Sequence, residues 1–346
     1  MRPFLAALLM LISAMPAFAQ PKKDRLSESV DRGLKFLALL QEKDGAWLSS
    51  GNKHPAVTSL AVMAFLSAGH VPGEGPYQAN VDKGIRWVLQ QQRPDGLIAA
   101  AGDYGEMYHH GICTMMLCEV AAMTDAKLSA EIKPKLEKAV KLILKAQRTE
   151  PGIYRGGWRY RIESNDADIS VTGWQILALR GARNLGCDVP AERIDLALKF
   201  VQQCRDPRTN GFTYLPSGGV TNACTATSIL ALELVGKERH HSREALLAGS
   251  YLLKNPQQPN DPHFHYTVYY SSQAMFQLGN NYWNVYRPQL HKLLLDSQQR
   301  NGSWLINEPL GPSYATAMSL LALTVEYRLL PIYQRNEEPD AKKDVR

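Results

Sequence analysis

Apolar residues recur along this 346-residue chain in two alternating styles. One style keeps them to a single face, as in Leu34, Leu37 and Leu40, or Ile85, Val88 and Leu89. That three-to-four spacing predicts an amphipathic helix. The other style is rich in small residues and apolar nearly all round, as over 61–68 and 176–179. A helix apolar on every side is buried on every side. Segments of the first style begin near Val30, Val81, Leu136, Ile194, Glu244 and Leu290. Segments of the second cover about 58–67, 112–122, 170–182, 225–235, 271–278 and 315–327. The alternation predicts six helical hairpins in two layers, with the second helices as an inner ring and the first as an outer ring. An open stack of such units needs polar caps at its ends, whereas a closed ring does not. The expected fold class is therefore all-α, an (α/α)6 toroid.

A repeated phrase joins the two helices of a hairpin. Gln41, Gly45 and Trp47, like Gln298, Gly302 and Trp304, read Gln-x-x-x-Gly-x-Trp. Weaker copies are Gln92 with Gly96 and Ile98, Gln147 with Gly157 and Trp158, and Gln203 with Gly211 and Phe212. The glycine stops an outer helix by taking the left-handed conformation at little cost. The glutamine is expected to bond backbone groups at neighbouring helix ends, and the tryptophan to pack over the next hairpin. The phrase thus reads as glue between repeats. The fifth hairpin lacks it. Leu252–Pro256 runs instead into a loop, 256–265, that holds Pro256, Pro259, Pro262, His263 and His265. An irregular unit in a regular array is a natural place for function.

Residues 1–19 read as a signal peptide. Arg2 is a basic start, 4–12 is an apolar run, and Ala17-Phe18-Ala19 fits the small-x-small cleavage rule. An exported chain, periplasmic or secreted and cleaved near Ala19, is expected. Pro16 interrupts the apolar run, and no later stretch is long enough to span a bilayer, so the cleaved chain is not expected to be an integral membrane protein. A segment 20–28 then leads into the toroid, 29–335, and 336–346 is a charged tail expected to be disordered. Net charge is +6, with Lys and Arg spread along the helices, which excludes a nucleic-acid partner. The five cysteines are an odd number and none forms Cys-x-x-Cys, so they read as small buried hydrophobes. Gly-x-Ser-x-Gly, a Walker loop, a dinucleotide fingerprint and His-Glu-x-x-His are all missing from the sequence.

With its repeated Gln-x-x-x-Gly-x-Trp phrases, the chain resembles the prenyltransferase and squalene-oxidase repeat family over about 29–333. That superfamily includes squalene-type terpenoid cyclases and the beta subunits of protein prenyltransferases. The resemblance implies a six-hairpin toroid around an apolar central cavity. It also implies two chemistries. In terpenoid cyclases an Asp-x-Asp-Asp motif carries the acid that protonates an alkene or epoxide; here the matching positions are Asp166, Asp168 and, in place of the last aspartate, Ile169. In the prenyltransferases an Asp and a Cys two residues apart, plus a distant His, hold zinc; the matching positions are Asn222, Cys224 and His265, with His263 close by.

Each of these sites also has a plain structural reading. Asp166 or Asp168 suits a helix N-cap. Cys224 suits a core, and Asn is a poor zinc ligand. A third constellation comes from the residues alone. Tyr104, Tyr108, His109 and His110, with Trp174, Gln175, Tyr266, Tyr269, Tyr270, Gln273 and Tyr314, fall at or near the starts of inner helices. They are expected to rim one mouth of the ring, as a ligand site or as aromatic packing. Asp103, Glu106, Asp166 and Asp168 are the carboxylates a polysaccharide hydrolase would use at such a mouth. The leading expectation is an exported binding scaffold with an aromatic-lined cavity. It has no cofactor and takes an isoprenoid or other hydrophobic ligand, or an extended peptide or glycan. The alternatives are a terpenoid cyclase with Asp168 as acid, and a zinc-dependent transferase.

Overall fold

A computed structural model describes residues 24–235, 240–305 and 308–334; the expected signal peptide, 1–19, and the expected disordered tail, 336–346, lie outside them. Among the described residues the chain forms α1 (Arg25–Leu40), α2 (Pro55–Ser67), α3 (Gln78–Gln90), α4 (Glu106–Met123), α5 (Ala126–Ala146) and α6 (Ile169–Asn184). The second half adds α7 (Ala191–Gln203), α8 (Asn222–Val235), α9 (Arg243–Lys254), α10 (Phe264–Gln277), α11 (Asn280–Ser297) and α12 (Pro312–Leu323). Two short antiparallel ribbons decorate the turns: β1 (Leu48–Ser49) with β2 (Asn52–Lys53), and β3 (Phe212–Thr213) with β4 (Val220–Thr221).

Even-numbered helices pack in sequence against one another, and α12 returns to α2, so the inner ring is closed. Odd-numbered helices lie outside, with α1 against both α11 and α12. This is the six-hairpin toroid that the alternation predicts. Every residue of α2 is buried, whereas α1 buries only the stripe containing Val30, Leu34 and Leu37. Helix starts are fixed by side-chain caps: Asp24, Asp125 and Ser242 accept from Ser27, Leu128 and Ala245 backbone N–H groups, and Pro55 and Pro312 open their helices. Several helices begin earlier than the apolar period suggests. The first turn of α5 mixes small, apolar and charged residues that are exposed or half-buried, so it carries only a weak periodic signal. In α10, His265–Tyr270 belong to the helix and not to the preceding loop.

The repeated phrase works as a clasp between hairpins. Gln41 Nε2 donates to its own turn at Gly45 O (3.0 Å) and to Asn80 O on the next outer helix (2.9 Å). Gln92 does the same to Gly96 and Lys135, Gln147 to Gly156 and Arg193, and Gln298 to Gly302 and Ser29. The last clasp joins the sixth hairpin to the first. The glycine lies against that same outer helix, three residues further on. A Cβ would fall 2.4 Å from Lys83 O at Gly45, 2.7 Å from Lys138 O at Gly96, 2.0 Å from Leu196 O at Gly156 and 2.3 Å from Arg32 O at Gly302. The glycine in the third clasp is therefore Gly156, in the left-handed region at φ +102°, and not Gly157. In the fourth copy Asn210 takes the left-handed position (φ +66°), and its side chain is held by Arg205 (2.6 Å), while Gln203 takes no such part.

Tryptophan closes three of the four clasps from both sides. The indole N–H of Trp47, Trp158 and Trp304 donates to Leu37 O, Ile143 O and Leu294 O, each a carbonyl orphaned in the last turn of an outer helix. Its ring lies on the next hairpin: a Cβ on Gly84 would meet Trp47 Cζ3 at 3.1 Å, and one on Gly33 would meet Trp304 Cζ3 at 3.0 Å. Its backbone N–H donates to an inner-helix hydroxyl, Thr58, Thr172 or Thr316. Thr225 serves Phe212 in the same way, and His110 Nδ1 serves Ile98.

The axis of the ring is filled. Trp174 stacks on Tyr269 (5.4 Å between centroids) and meets Tyr270 edge-on (5.2 Å). The turn Pro331–Tyr333 seals the far end. Tyr333 O accepts from Gln277 Nε2 (2.8 Å), its hydroxyl meets that of Tyr269, and Ile332 N–H donates to Glu119 (3.2 Å). Burial pushes the Glu119 carboxyl up to about 8.

Two measurements check this account. Gly73 and Gly302 are both left-handed, but only Gly302 has a neighbour in the way. Gly73→Ala is expected to lose about 1 kcal/mol of unfolding free energy, from conformation alone, and Gly302→Ala at least about twice that. Equal losses in urea titrations would show the clasp to be slack. For Glu119, the folded chain holds a proton that the unfolded chain releases near the ordinary carboxylate pKa. Its stabilising share is complete below about 4.5 and is lost as pH rises towards about 8. The melting temperature of Glu119→Gln is therefore expected to fall less steeply across that window than that of the wild type.

Candidate binding cleft

Inner-helix starts point to one face of the toroid, and there the fourth and fifth hairpins leave a cavity of about 820 Å³. Its floor and inner wall are aromatic. Tyr108 comes from α4, Tyr160 from the turn after Trp158, Tyr214 from the turn after β3, Tyr251 from α9 and Tyr266 from α10. Its outer wall is the loop 255–263, which supplies Asn255, Gln257, Gln258, Asp261 and His263. The hairpin without a clasp thus builds the wall of the cleft.

A single guanidinium organises the floor. Arg159 Nη1 donates to Asp168 Oδ2 (2.7 Å) and to the Tyr214 hydroxyl, while its Nε reaches Asp166 (3.1 Å). Its plane lies over the Tyr160 ring, 4.4 Å from the centroid. The Tyr160 and Tyr214 hydroxyls bond each other, and Tyr108 bonds Ser170. Ser170 Oγ and Val171 N–H both donate to Asp168 Oδ1, at 2.6 and 2.9 Å. Asp168 is therefore an N-cap and an ion-pair partner at once. Burial pushes its carboxyl up, while Ser170, Val171 and Arg159 pull it down. Arg159 is in turn held firmly in its charged form. The balance leaves the Asp168 carboxyl above its ordinary value, while a guanidinium at 2.7 Å and donors on both oxygens favour the ionised pair. An alkene-protonating acid needs a proton where Asp168 and Asp166 instead meet the Arg159 guanidinium, so the geometry places both as its ion-pair partners.

The expected aromatic rim divides in two. Tyr108 and Tyr266 line the cleft, as do Cys224 and His263. Tyr104 is exposed outside it, against Tyr160 (5.4 Å). Trp174, Gln175, Tyr269, Tyr270 and Gln273 are buried one turn or more deeper and plug the axis; Gln175 and Gln273 donate to Met107 O and Leu321 O. Tyr314 is buried beside Glu308. His110 is fully buried, with Nε2 at Ala139 O (3.0 Å), so it is repeat glue, and burial pushes it down to about 4. His109 accepts from Ala100 N–H (3.1 Å) and faces Asp103.

The zinc reading also fails on geometry. Burial pushes the Cys224 thiol up to about 11, and Asn222 is engaged with Asn255 O (2.8 Å). His265 is buried away from the cleft, with Nδ1 3.3 Å from Glu308. Among the described residues two clusters bring three ligand atoms within 4.8 Å of one another, and neither contains Cys224, His263 or His265. Paired hydrolytic carboxylates are not there either: Glu106 accepts from Ile162 N–H (3.2 Å) and Asp103 from Gly105 N–H, while Asp261 is the lone carboxylate lining the cleft. Sequence reasoning missed Arg159, Tyr160, Tyr214 and Tyr251; the pair Arg159-Tyr160 directly after a clasp tryptophan was the available signal.

A closed ring of helical hairpins with a cleft at one mouth defines an α/α toroid protein. The model of the prenyltransferase alpha-alpha toroid domain matches residues 5–158 and 158–312, and the chain belongs to that family. No curated protein sequence matches it. Among solved structures, the chain is similar to cellobiose 2-epimerase from Bacillus thermoamylovorans B4167 (11% identity, TM-score 0.65, 87% of this chain and 99% of that one). It is also similar to a possible member of the GH105 family from Salmonella enterica serovar Paratyphi A (15%, 0.57, 92% and 99%). A third is protein geranylgeranyltransferase-I from Candida albicans, complexed with GGPP (12%, 0.57, 88% and 92%). At these identities the likeness is one of fold.

Removing the buried charge tests the ion-pair assignment. Asp168→Asn is expected to cost about 3 kcal/mol in urea unfolding, because it strands Arg159. Asp168→Asn combined with Arg159→Met is expected to cost less than the sum of the single changes. Unchanged stability in Asp168→Asn would contradict the pairing.

Proposed function

We propose that this is an exported, non-catalytic binding protein whose toroid-mouth cleft takes an extended, uncharged glycan. The observation that carries the reading is the pairing of a tyrosine floor with an amide-rich wall. The hydroxyls of Tyr160, Tyr214, Tyr108 and Tyr266 are already bonded within the protein. What they offer a ligand is ring surface, which suits the C–H faces of sugar rings. Asn255, Gln257 and Gln258 offer donors and acceptors from the opposite wall, the few fixed polar groups that orient a ligand in a concave site. A single lining carboxylate speaks for binding over hydrolysis, which requires two flanking the bond. The names of two similar folds, a cellobiose epimerase and a possible glycoside-hydrolase family member, add support of the fold-level kind.

An isoprenoid needs a deep dry channel, and the axis below Tyr266 is occupied by Trp174, Tyr269 and Tyr270. The N-terminal three-part segment supports export. The test is calorimetric titration of the mature protein with neutral oligosaccharides, chosen first on a glycan array. Tyr251→Ala is expected to weaken binding about tenfold, the worth of one stacked aromatic, with little change in melting temperature. Absence of any glycan ligand, or co-purification with a stoichiometric isoprenoid, would overturn the reading.

A further inference from the structure

Far from the cleft, where α8 ends and α9 begins, an unusual trio meets. Glu233 lies in the last turns of α8, with its side chain fully buried. His240 and His241 are adjacent, half-exposed and stacked, 4.0 Å between centroids. His240 Nδ1 lies 2.7 Å from Glu233 Oε2, and His241 Nε2 lies 3.8 Å from the same oxygen. The other carboxylate oxygen is fixed by His241 N–H (2.9 Å). Glu233 Oε2 has ionic neighbours but no donor aligned on it as a hydrogen bond. A fully buried carboxylate oxygen left in that state is costly unless a cation sits on it. The carbonyl of Gln277, last residue of α10, is 3.3 Å from His241 Nε2 and completes the concavity.

We infer that Glu233, His240 and His241 form a site for one divalent transition-metal ion of the zinc class, with Gln277 O at its edge. Two imidazoles and a carboxylate are a donor set of that class, and one open position remains for water. Around a tetrahedral ion with bonds of about 2.1 Å, ligand atoms stand about 3.4 Å apart. The observed 2.7 and 3.8 Å bracket that figure, so the rings need move by only about half an ångström. His241 Nε2 donates to Gln277 O in the metal-free chain; metal binding moves that proton to Nδ1 and turns the Nε2 lone pair to the ion.

The contrast with the second three-residue cluster sharpens the assignment. His54, Asp103 and His109 also bring their ligand atoms within 4.8 Å of one another. There both Nδ1 atoms accept backbone N–H groups, from Val57 (3.3 Å) and Ala100 (3.1 Å). The neutral rings then carry their protons on Nε2, facing Asp103. With Nδ1 taken by a backbone donor in both rings the proton cannot move off Nε2, so no lone pair turns to a metal and the cluster is a hydrogen-bonded cap.

Equilibrium dialysis of the mature protein against Zn²⁺, read by elemental analysis, tests the inference. One Zn²⁺ per chain is expected, with a dissociation constant in the micromolar range or below. His240→Ala and His241→Ala, both at half-exposed positions, are each expected to weaken it at least thirtyfold, roughly the loss of one ligand. Glu233→Gln is expected to do the same if it folds. Asp103→Asn is expected to leave binding unchanged. No Zn²⁺ bound by the wild type, undiminished binding in both histidine variants, or loss in Asp103→Asn alone would overturn the assignment.

Discussion

Everything in this ring depends on one backbone contact: a glycine pressed against the next outer helix and held there by a glutamine amide. The amide N–H₂ has two protons, and each clasp uses both, one for its own turn and one for the neighbour, as Gln298 does with Gly302 O and Ser29 O. Only glycine fits, because a Cβ at that position would fall 2.0 to 2.7 Å from a backbone carbonyl. The clasp therefore fixes the distance between hairpins, and tryptophan fixes their tilt by bonding the outer helix it leaves and covering the one it meets. Repeated at four of the six seams, this contact includes the one between α11 and α1 that closes the ring.

The irregular part of the ring carries the cleft. From the fourth hairpin to the fifth, Arg205 and Asn210 replace the glutamine clasp, and the turn of the fifth hairpin has none. Freed from that geometry, 255–263 stands away from the ring and becomes a wall facing five tyrosines. The same release explains the floor. Arg159 directly follows a clasp tryptophan, so its position is fixed by the clasp while its guanidinium is free to gather Asp166, Asp168 and Tyr214. Regular seams give rigidity, and the relaxed sector gives shape.

Much of the architecture was legible because it is periodic. The alternation of one-faced and all-round apolar segments states the two layers, and the paired phrases state the closure. Helix starts were not legible where the first turn mixes small, apolar and charged residues, as in α5, or where histidines and tyrosines mimic a loop, as in α10. The site was legible only by region. Tyr108 and Tyr266 were placed at the right mouth, but a residue and its neighbour one turn on, such as Tyr266 and Tyr270, look alike in sequence. One lines the cleft and the other fills the axis. Asp168 was read against a chemical motif when its environment is set by Arg159, nine positions earlier. The hydroxyl serving each clasp tryptophan, Thr58, Thr172 or Thr316, was invisible because its distance from the tryptophan varies from 11 to 14 residues.

The most direct test of ring closure is hydrogen exchange read by mass spectrometry in Gln298→Ala. That change removes only the clasp between the sixth and first hairpins. The account predicts faster exchange in both Arg25–Leu40 and Asn280–Ser297, which are remote in sequence and joined across the seam, with α5 and α7 unchanged. Faster exchange confined to Asn280–Ser297, with Arg25–Leu40 as protected as before, would show that the seam is not held by the clasp and would contradict the account.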